Sequence, residues 1–224
     1  YMTHPEEWTY HIPEGMTTME GALVEPAAVG MHAAVLGGAQ PGKSIVILGG
    51  GTIGLMVLQA CISLGATDIT VVDVIEKRLE LAKKLGAARV INGKEEDTVA
   101  VLRSEEMYGD HGVDLVFEAA GAVFTAQQAV QIVSRGGKIM MVGTQSKPVP
   151  IDFLKINREV TIQTSFRYCN NFPQTIEAIS SGRFNVKDMV TNIYDYEDVQ
   201  KAFEEAIDPV KKTEMVKGVI KVAE

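Results

Sequence analysis

The chain has 224 residues, 46% hydrophobic and 22% charged, enough for one large or two small domains with a sizeable core, and this composition excludes an intrinsically disordered chain. A formal charge of −8 argues against nucleic acid or an anionic membrane as partner, because both need basic patches. No apolar run is long enough to span a bilayer, and Cys61 and Cys169 make no disulfide framework, so the expected compartment is the reducing cytoplasm.

Tyr1 through Thr17 mix aromatic, proline and charged residues without a clear period and read as the close of a preceding segment. Thr17 and Glu20 fit a capping box that opens a helix into Ala22, Leu23 and Val24, which Pro26 is expected to limit or kink. A second helical pattern, Val29 to Leu36, stops at Gly37-Gly38, and Pro41-Gly42 turns the chain.

Ser44 to Leu48 is a short apolar strand that breaks into Gly49-Gly50-Gly51-Thr52-Ile53-Gly54 and then a helical pattern. The glycines fall as G-x-G-x-x-G. Gly49 permits the tight turn, Gly51 lets backbone approach a pyrophosphate, and Gly54 lets the helix pack closely on the strand. Free N–H groups of Thr52, Ile53 and Gly54, with the positive end of the helix dipole, then face the phosphates. The helix Leu55 to Leu64 is apolar nearly all round and ends at Gly65. Ile69 to Asp73 forms a second strand ending in a carboxylate nineteen residues after Gly54, where a dinucleotide fold places its acceptor for the adenosine ribose hydroxyls. That charge repels a 2′-phosphate and favours NAD over NADP. Arg78, five residues past Asp73, can lie along the adenosine or stand as a solvated helix charge.

The alternation continues: helix Glu76 to Leu85, strand Arg89 to Ile91, helix Lys94 to Met107, strand Val113 to Glu118, helix Val123 to Val133, strand Lys138 to Gly143 and strand Val160 to Ser165. Six short β-branched strands spaced by helices specify a doubly wound parallel sheet covered on both faces. Ligands of such folds bind beyond the C-terminal strand ends, which assigns the nicotinamide side to Ala120, Gly121, Val142 and Gly143, with Ser165 and Phe166 at the end of the last strand. Beyond Ser165 come a polar and aromatic loop, a helix from Pro173 to Ser181, an extended Met189 to Tyr194, a helix Tyr196 to Ile207 with Val199, Ala202, Phe203 and Ala206 inward, and a strand Gly218 to Val222. These pieces are too few to close a second core.

Val24-Glu25-Pro26, Gly49 to Gly54, Val71-Val72-Asp73, Gly121, Val142-Gly143 and above all Phe166-Arg167-Tyr168-Cys169-Asn170 resemble the medium-chain, zinc-dependent alcohol dehydrogenases, closest to the sorbitol and xylitol (polyol) branch. The resemblance implies an α/β chain with a six-stranded Rossmann sheet and remnants of a second, GroES-like catalytic domain. Residues 1–26 would end the catalytic segment, 27–165 bind NAD and 166–224 return toward the catalytic domain. It implies zinc in the full-length enzyme, whose ligands lie in an N-terminal portion not present here. Glu25 resembles the glutamate beside the zinc and its bound water, as ligand or acceptor, and Arg167 and Tyr168 the pair that orients the polyol hydroxyls. The exposed edge strand Val160 to Ser165 invites pairing into a symmetric homodimer, which the resemblance extends to a homotetramer. His4, His11, His32 and His111 show no ligand spacing and read as surface or packing histidines, though His32 can share the helical face of Glu25. Two readings stand beside the polyol dehydrogenase: a threonine, butanediol or simple alcohol dehydrogenase, and a stand-alone NAD-binding module without catalysis.

Overall fold

A computed structural model describes residues 3–156 and 158–222, so Tyr1 and Met2 of the opening segment lie outside the described residues. The first long element is α1 (Thr18–Gly37), opened by the expected capping box: Thr17 Oγ1 accepts the Glu20 N–H and the Glu20 side chain accepts the Thr17 N–H. Pro26 neither ends nor splits it, and the two expected helices are one. The carbonyl of Ala22, which loses its donor to the proline ring, belongs to an exposed residue that water can serve.

The next elements are β1 (Ser44–Leu48), α2 (Thr52–Ser63), β2 (Asp68–Asp73), α3 (Glu76–Lys84) and β3 (Arg89–Asn92). They are followed by α4 (Thr98–Leu102), β4 (Val113–Glu118), α5 (Val123–Ile132), β5 (Val133–Met141) and β6 (Thr161–Thr164). The six strands pair in the order β3-β2-β1-β4-β5-β6, all parallel. Side-chain alternation explains why β1 is apolar throughout. Ile45 and Ile47 enter a core shared with α1 and α2, while Val46 and Leu48 enter the opposite core with Leu102, Ala129 and Ile132. Close packing of α1 on α2 depends on Gly30, where a Cβ would come within 2.5 Å of the Met56 backbone.

Three boundaries differ from expectation. The helix expected over Lys94 to Met107 is reduced to α4, because the Asn92 carbonyl turns residues 95 and 96 back on themselves and Asp97 caps Val99 and Ala100 afresh. Positive φ at Gly109 (52°) and Gly112 (82°) keeps the following stretch in turns. Strand β5 begins directly at the end of α5 and stops at Met141, so Val142 and Gly143 belong to the loop beyond it. Strand β6 is a short edge, with Thr161, Ile162 and Thr164 exposed.

The remaining elements are α6 (Phe172–Ser180), β7 (Val190–Asp195), α7 (Val199–Ile207) and β8 (Lys217–Lys221), with β7 and β8 forming a separate two-stranded parallel sheet. Ala178, Ile179, Phe184 and Met189 join the α1–α2 core, so α6 and the turn after it are anchored on the main sheet's own helices. Of the α7 residues expected inward, only Ala202 is buried. Phe203 is 64% exposed, and Val199 and Ala206 are also exposed, because the small sheet offers α7 a single shallow face.

Candidate functional site

The glycine turn lies between β1 and α2 beside the end of β4. Gly49 has φ 108°, and a Cβ there would lie 2.8 Å from the Ala120 nitrogen. A Cβ at Gly54 would collide with the Gly49 carbonyl, so the helix can start this close to the strand only with glycine. Gly51 is the N-cap of α2 and supplies no side-chain cap, which leaves first-turn N–H groups for an anion. The Thr52 hydroxyl does not face that anion position: it donates to the Val216 carbonyl and ties the small sheet to α2.

Asp73 closes the turn from the side. Its Oδ2 accepts the Gly50 N–H at 2.7 Å, and its Oδ1 accepts the N–H groups of Val74 at 2.7 Å and Ile75 at 2.9 Å. Arg78 Nη1 stands 3.6 Å from Oδ2. Gly49, Gly51, Asp73, Val74, Arg78, Ala120 and Thr125 are among the residues lining a cavity of about 360 Å³. The structure thus brings Gly49, Gly51, Asp73, Arg78 and Ala120 to the lining of one cavity.

Glu118, at the end of β4, was not among the residues singled out from sequence. It is fully buried and accepts hydrogen bonds from Ala120 N, Gly121 N, Thr125 Oγ1 and Gln145 Nε2. Its signal in the sequence is the one that marks Asp73, a carboxylate that closes a strand directly after apolar residues, here Leu115-Val116-Phe117. Gly121 (φ 69°) and Gly143 meet so closely that a Cβ on Gly143 would strike the Gly121 backbone. Ser165 is buried, and its hydroxyl has no hydrogen-bond partner among the described residues.

The loop after β6 is strained and aromatic. Arg167 and Asn170 hold positive φ (50° and 55°), and the Arg167 guanidinium lies 5.4 Å over the ring of Phe166, itself 80% exposed. Tyr168 packs edge-on against Phe172 at 4.9 Å, and Phe172 stacks on Tyr10 at 5.5 Å. His32 on α1 bonds Asn171 Oδ1 through Nδ1 at 3.0 Å, joining this loop to the helix that carries Glu25. Glu25 is exposed, two turns from His32, with no hydrogen bond or ion pair to Arg167 or Tyr168 among the described residues.

Residues 52–181 match the zinc-binding dehydrogenase family. The chain belongs to that family. Over its full 224 residues it is 62% identical to the uncharacterized zinc-type alcohol dehydrogenase-like protein YdjJ of Escherichia coli, covering 63% of it. It is 39% identical to sorbitol dehydrogenase of Bacillus subtilis, over 92% of this chain and 59% of that protein. A solved oxidoreductase/dehydrogenase from Escherichia coli, of unknown specificity and involved in membrane biogenesis, superposes with a TM-score of 0.95 at 62% identity, covering 99% of this chain and 62% of that one. This member of the zinc-binding dehydrogenases therefore spans about three fifths of the length of these relatives.

Among the described residues no group of three or more His, Cys, Asp or Glu side chains is placed to hold a metal ion, whereas zinc takes about three protein ligands and an open position in catalytic sites. Burial pushes the Cys61 thiol well above its ordinary pKa, which disfavours the thiolate a metal needs. No helix among the described residues is long and apolar enough to cross a membrane.

Proposed function

We propose that this chain is the NAD-binding portion of a zinc-type polyol dehydrogenase, in which a secondary alcohol gives up a hydride to NAD+ and its hydroxyl proton to solvent and leaves as a ketone. Residues 1–26 and 166–224 are then parts of the catalytic domain, and 27–165 is the coenzyme domain. The observation that carries the coenzyme reading is the hydrogen bond from Gly50 to Asp73, which places one carboxylate against a phosphate-binding turn.

A carboxylate offers about four acceptor positions, and three are taken by backbone N–H groups, so one remains for a ribose hydroxyl. A second hydroxyl bond requires Gly50 to share its acceptor. Arg78 could in principle receive a 2′-phosphate, but it is paired with Asp73, and the buried carboxylate would meet the incoming dianion first. NAD is therefore the favoured coenzyme. Calorimetric titration of the chain with NADH and NADPH tests this: NADH binds at least tenfold more tightly, and equal affinities overturn the assignment.

The polyol substrate class rests on the 39% identity to a sorbitol dehydrogenase and on the Phe166–Asn170 loop. Arg167 supplies a planar five-donor fork and Tyr168 a hydroxyl that both donates and accepts, a set suited to adjacent hydroxyls. Glu25, exposed on α1, is the residue of this chain that would face the zinc side in the longer protein.

A further inference from the structure

A buried carboxylate is costly unless it is fully hydrogen-bonded. Glu118 is buried completely and spends its bonds on two loops rather than one. Oε1 accepts from Ala120 N at 3.0 Å, Gly121 N at 2.8 Å and Thr125 Oγ1 at 2.7 Å, all after β4. Oε2 accepts from Gln145 Nε2 at 2.7 Å, in the loop after β5. The Glu118 carbonyl reaches the same second loop, accepting the N–H groups of Val142 and Gly143 at 2.8 Å each. One residue thus joins two backbone segments that have no strand pairing with each other at this height.

We propose that Glu118 is a positioning residue that locks the Ala120–Gly121 turn and the Val142–Gln145 loop into one wall against the nicotinamide half of the bound dinucleotide. This rests on the NAD-binding reading above and adds to it the residue that shapes the reactive end of the coenzyme. The adenosine end is held separately, by Asp73 and Arg78, neither of which bonds Glu118. Gln145 is half-buried: its Oε1 is buried with no hydrogen-bond partner among the described residues, so the hydrogen bond to Glu118 is what holds its amide in place. That geometry makes the two ends of the coenzyme separable by mutation.

The test measures NADH and AMP affinities of this chain and of Q145A and E118Q by calorimetry, with melting temperatures alongside. Q145A removes the bond from Gln145 to Oε2 that holds the far end of the loop after β5, while Val142 and Gly143 stay bonded to the Glu118 carbonyl and the turn after β4 stays bonded to Oε1. It should bind NADH about tenfold more weakly, the worth of one charge-assisted hydrogen bond, with AMP changed less than twofold. E118Q keeps the Oε1 acceptor, and rotation of the Gln145 amide presents its Oε1 to the new donor, so NADH affinity should return to within about threefold. A parallel loss of AMP and NADH in Q145A, an unchanged NADH affinity, or a loss in E118Q as large as in Q145A each overturns the positioning role. Failure of the unaltered chain to bind either ligand instead overturns the NAD reading beneath it.

Discussion

The Asp73 carboxylate and the Gly50 N–H, on neighbouring strand ends of one sheet, are joined by a 2.7 Å hydrogen bond across 23 residues of chain. Replacement by asparagine can keep the bonds from Val74 and Ile75 to one oxygen, but it turns an amide N–H toward the Gly50 N–H. We predict that D73N costs about 1–3 kcal/mol of stability and narrows the NADH-over-NADPH preference about tenfold. Parallel thermal melts and cofactor titrations read both effects, and an unchanged cofactor ratio would remove Asp73 from the coenzyme role.

The N-terminus of α1 should govern part of the acid stability. Burial opposes the charge on Glu20, yet hydrogen bonds from Thr17 and the Lys187 ammonium at 3.2 Å outweigh it and hold the carboxyl below its ordinary 4.5. A depressed folded-state pKa contributes stability that is full above the unfolded value and is lost as pH falls through the folded one. Urea midpoints should therefore decline below about pH 4.5 in the unaltered chain and less steeply in E20Q. T17A removes the cap and costs about 1 kcal/mol, a fall in melting temperature of roughly 2–4 °C. Identical pH profiles for E20Q and the parent would contradict this.

In the longer protein, R167A should erode the preference for xylitol or sorbitol over ethanol. The guanidinium lies over an exposed ring at a strained backbone position, not in the coenzyme cavity, so NADH affinity should stay within about twofold. Loss of one polar partner costs about 1–3 kcal/mol, or about tenfold to a hundredfold in kcat/KM for the polyol. If the variant loses NADH binding and keeps its polyol preference, the assignment of this loop is wrong.

Metal analysis of this chain after dialysis should find less than stoichiometric zinc, since its described side chains bring no three donors together. Tight one-to-one zinc would show that Glu25, His32 or Cys169 rearranges into a site.

The free edge of β6 carries Ile162, 36% exposed, between exposed Thr161 and Thr164. Edge strands invite pairing, and light scattering of the chain should show a dimer or larger species that I162K shifts toward monomer. A clean monomer before substitution would count against pairing through this edge.

The alternation of strands and helices, the burial of β1 on both faces, the glycine turn and the placement of Asp73 were all legible from residue order, because each follows from local periodicity or from a spacing set by a single βαβ unit. What residue order could not supply was whether a neighbour exists. Pro26 was readable as a helix breaker, but only the fold shows that the carbonyl it deprives belongs to an exposed residue. Phe203 had the period of an inward residue, yet the small β7–β8 sheet provides no surface to cover it. His32 looked like a packing residue until the chain returned 139 residues later with Asn171. Glu118 read as the polar end of a strand, and its role depends on Gln145, 27 residues on, arriving by way of β5. Hydrogen bonds and buried contacts between distant segments have no sequence period, so the tertiary structure alone decided which polar groups of this chain meet.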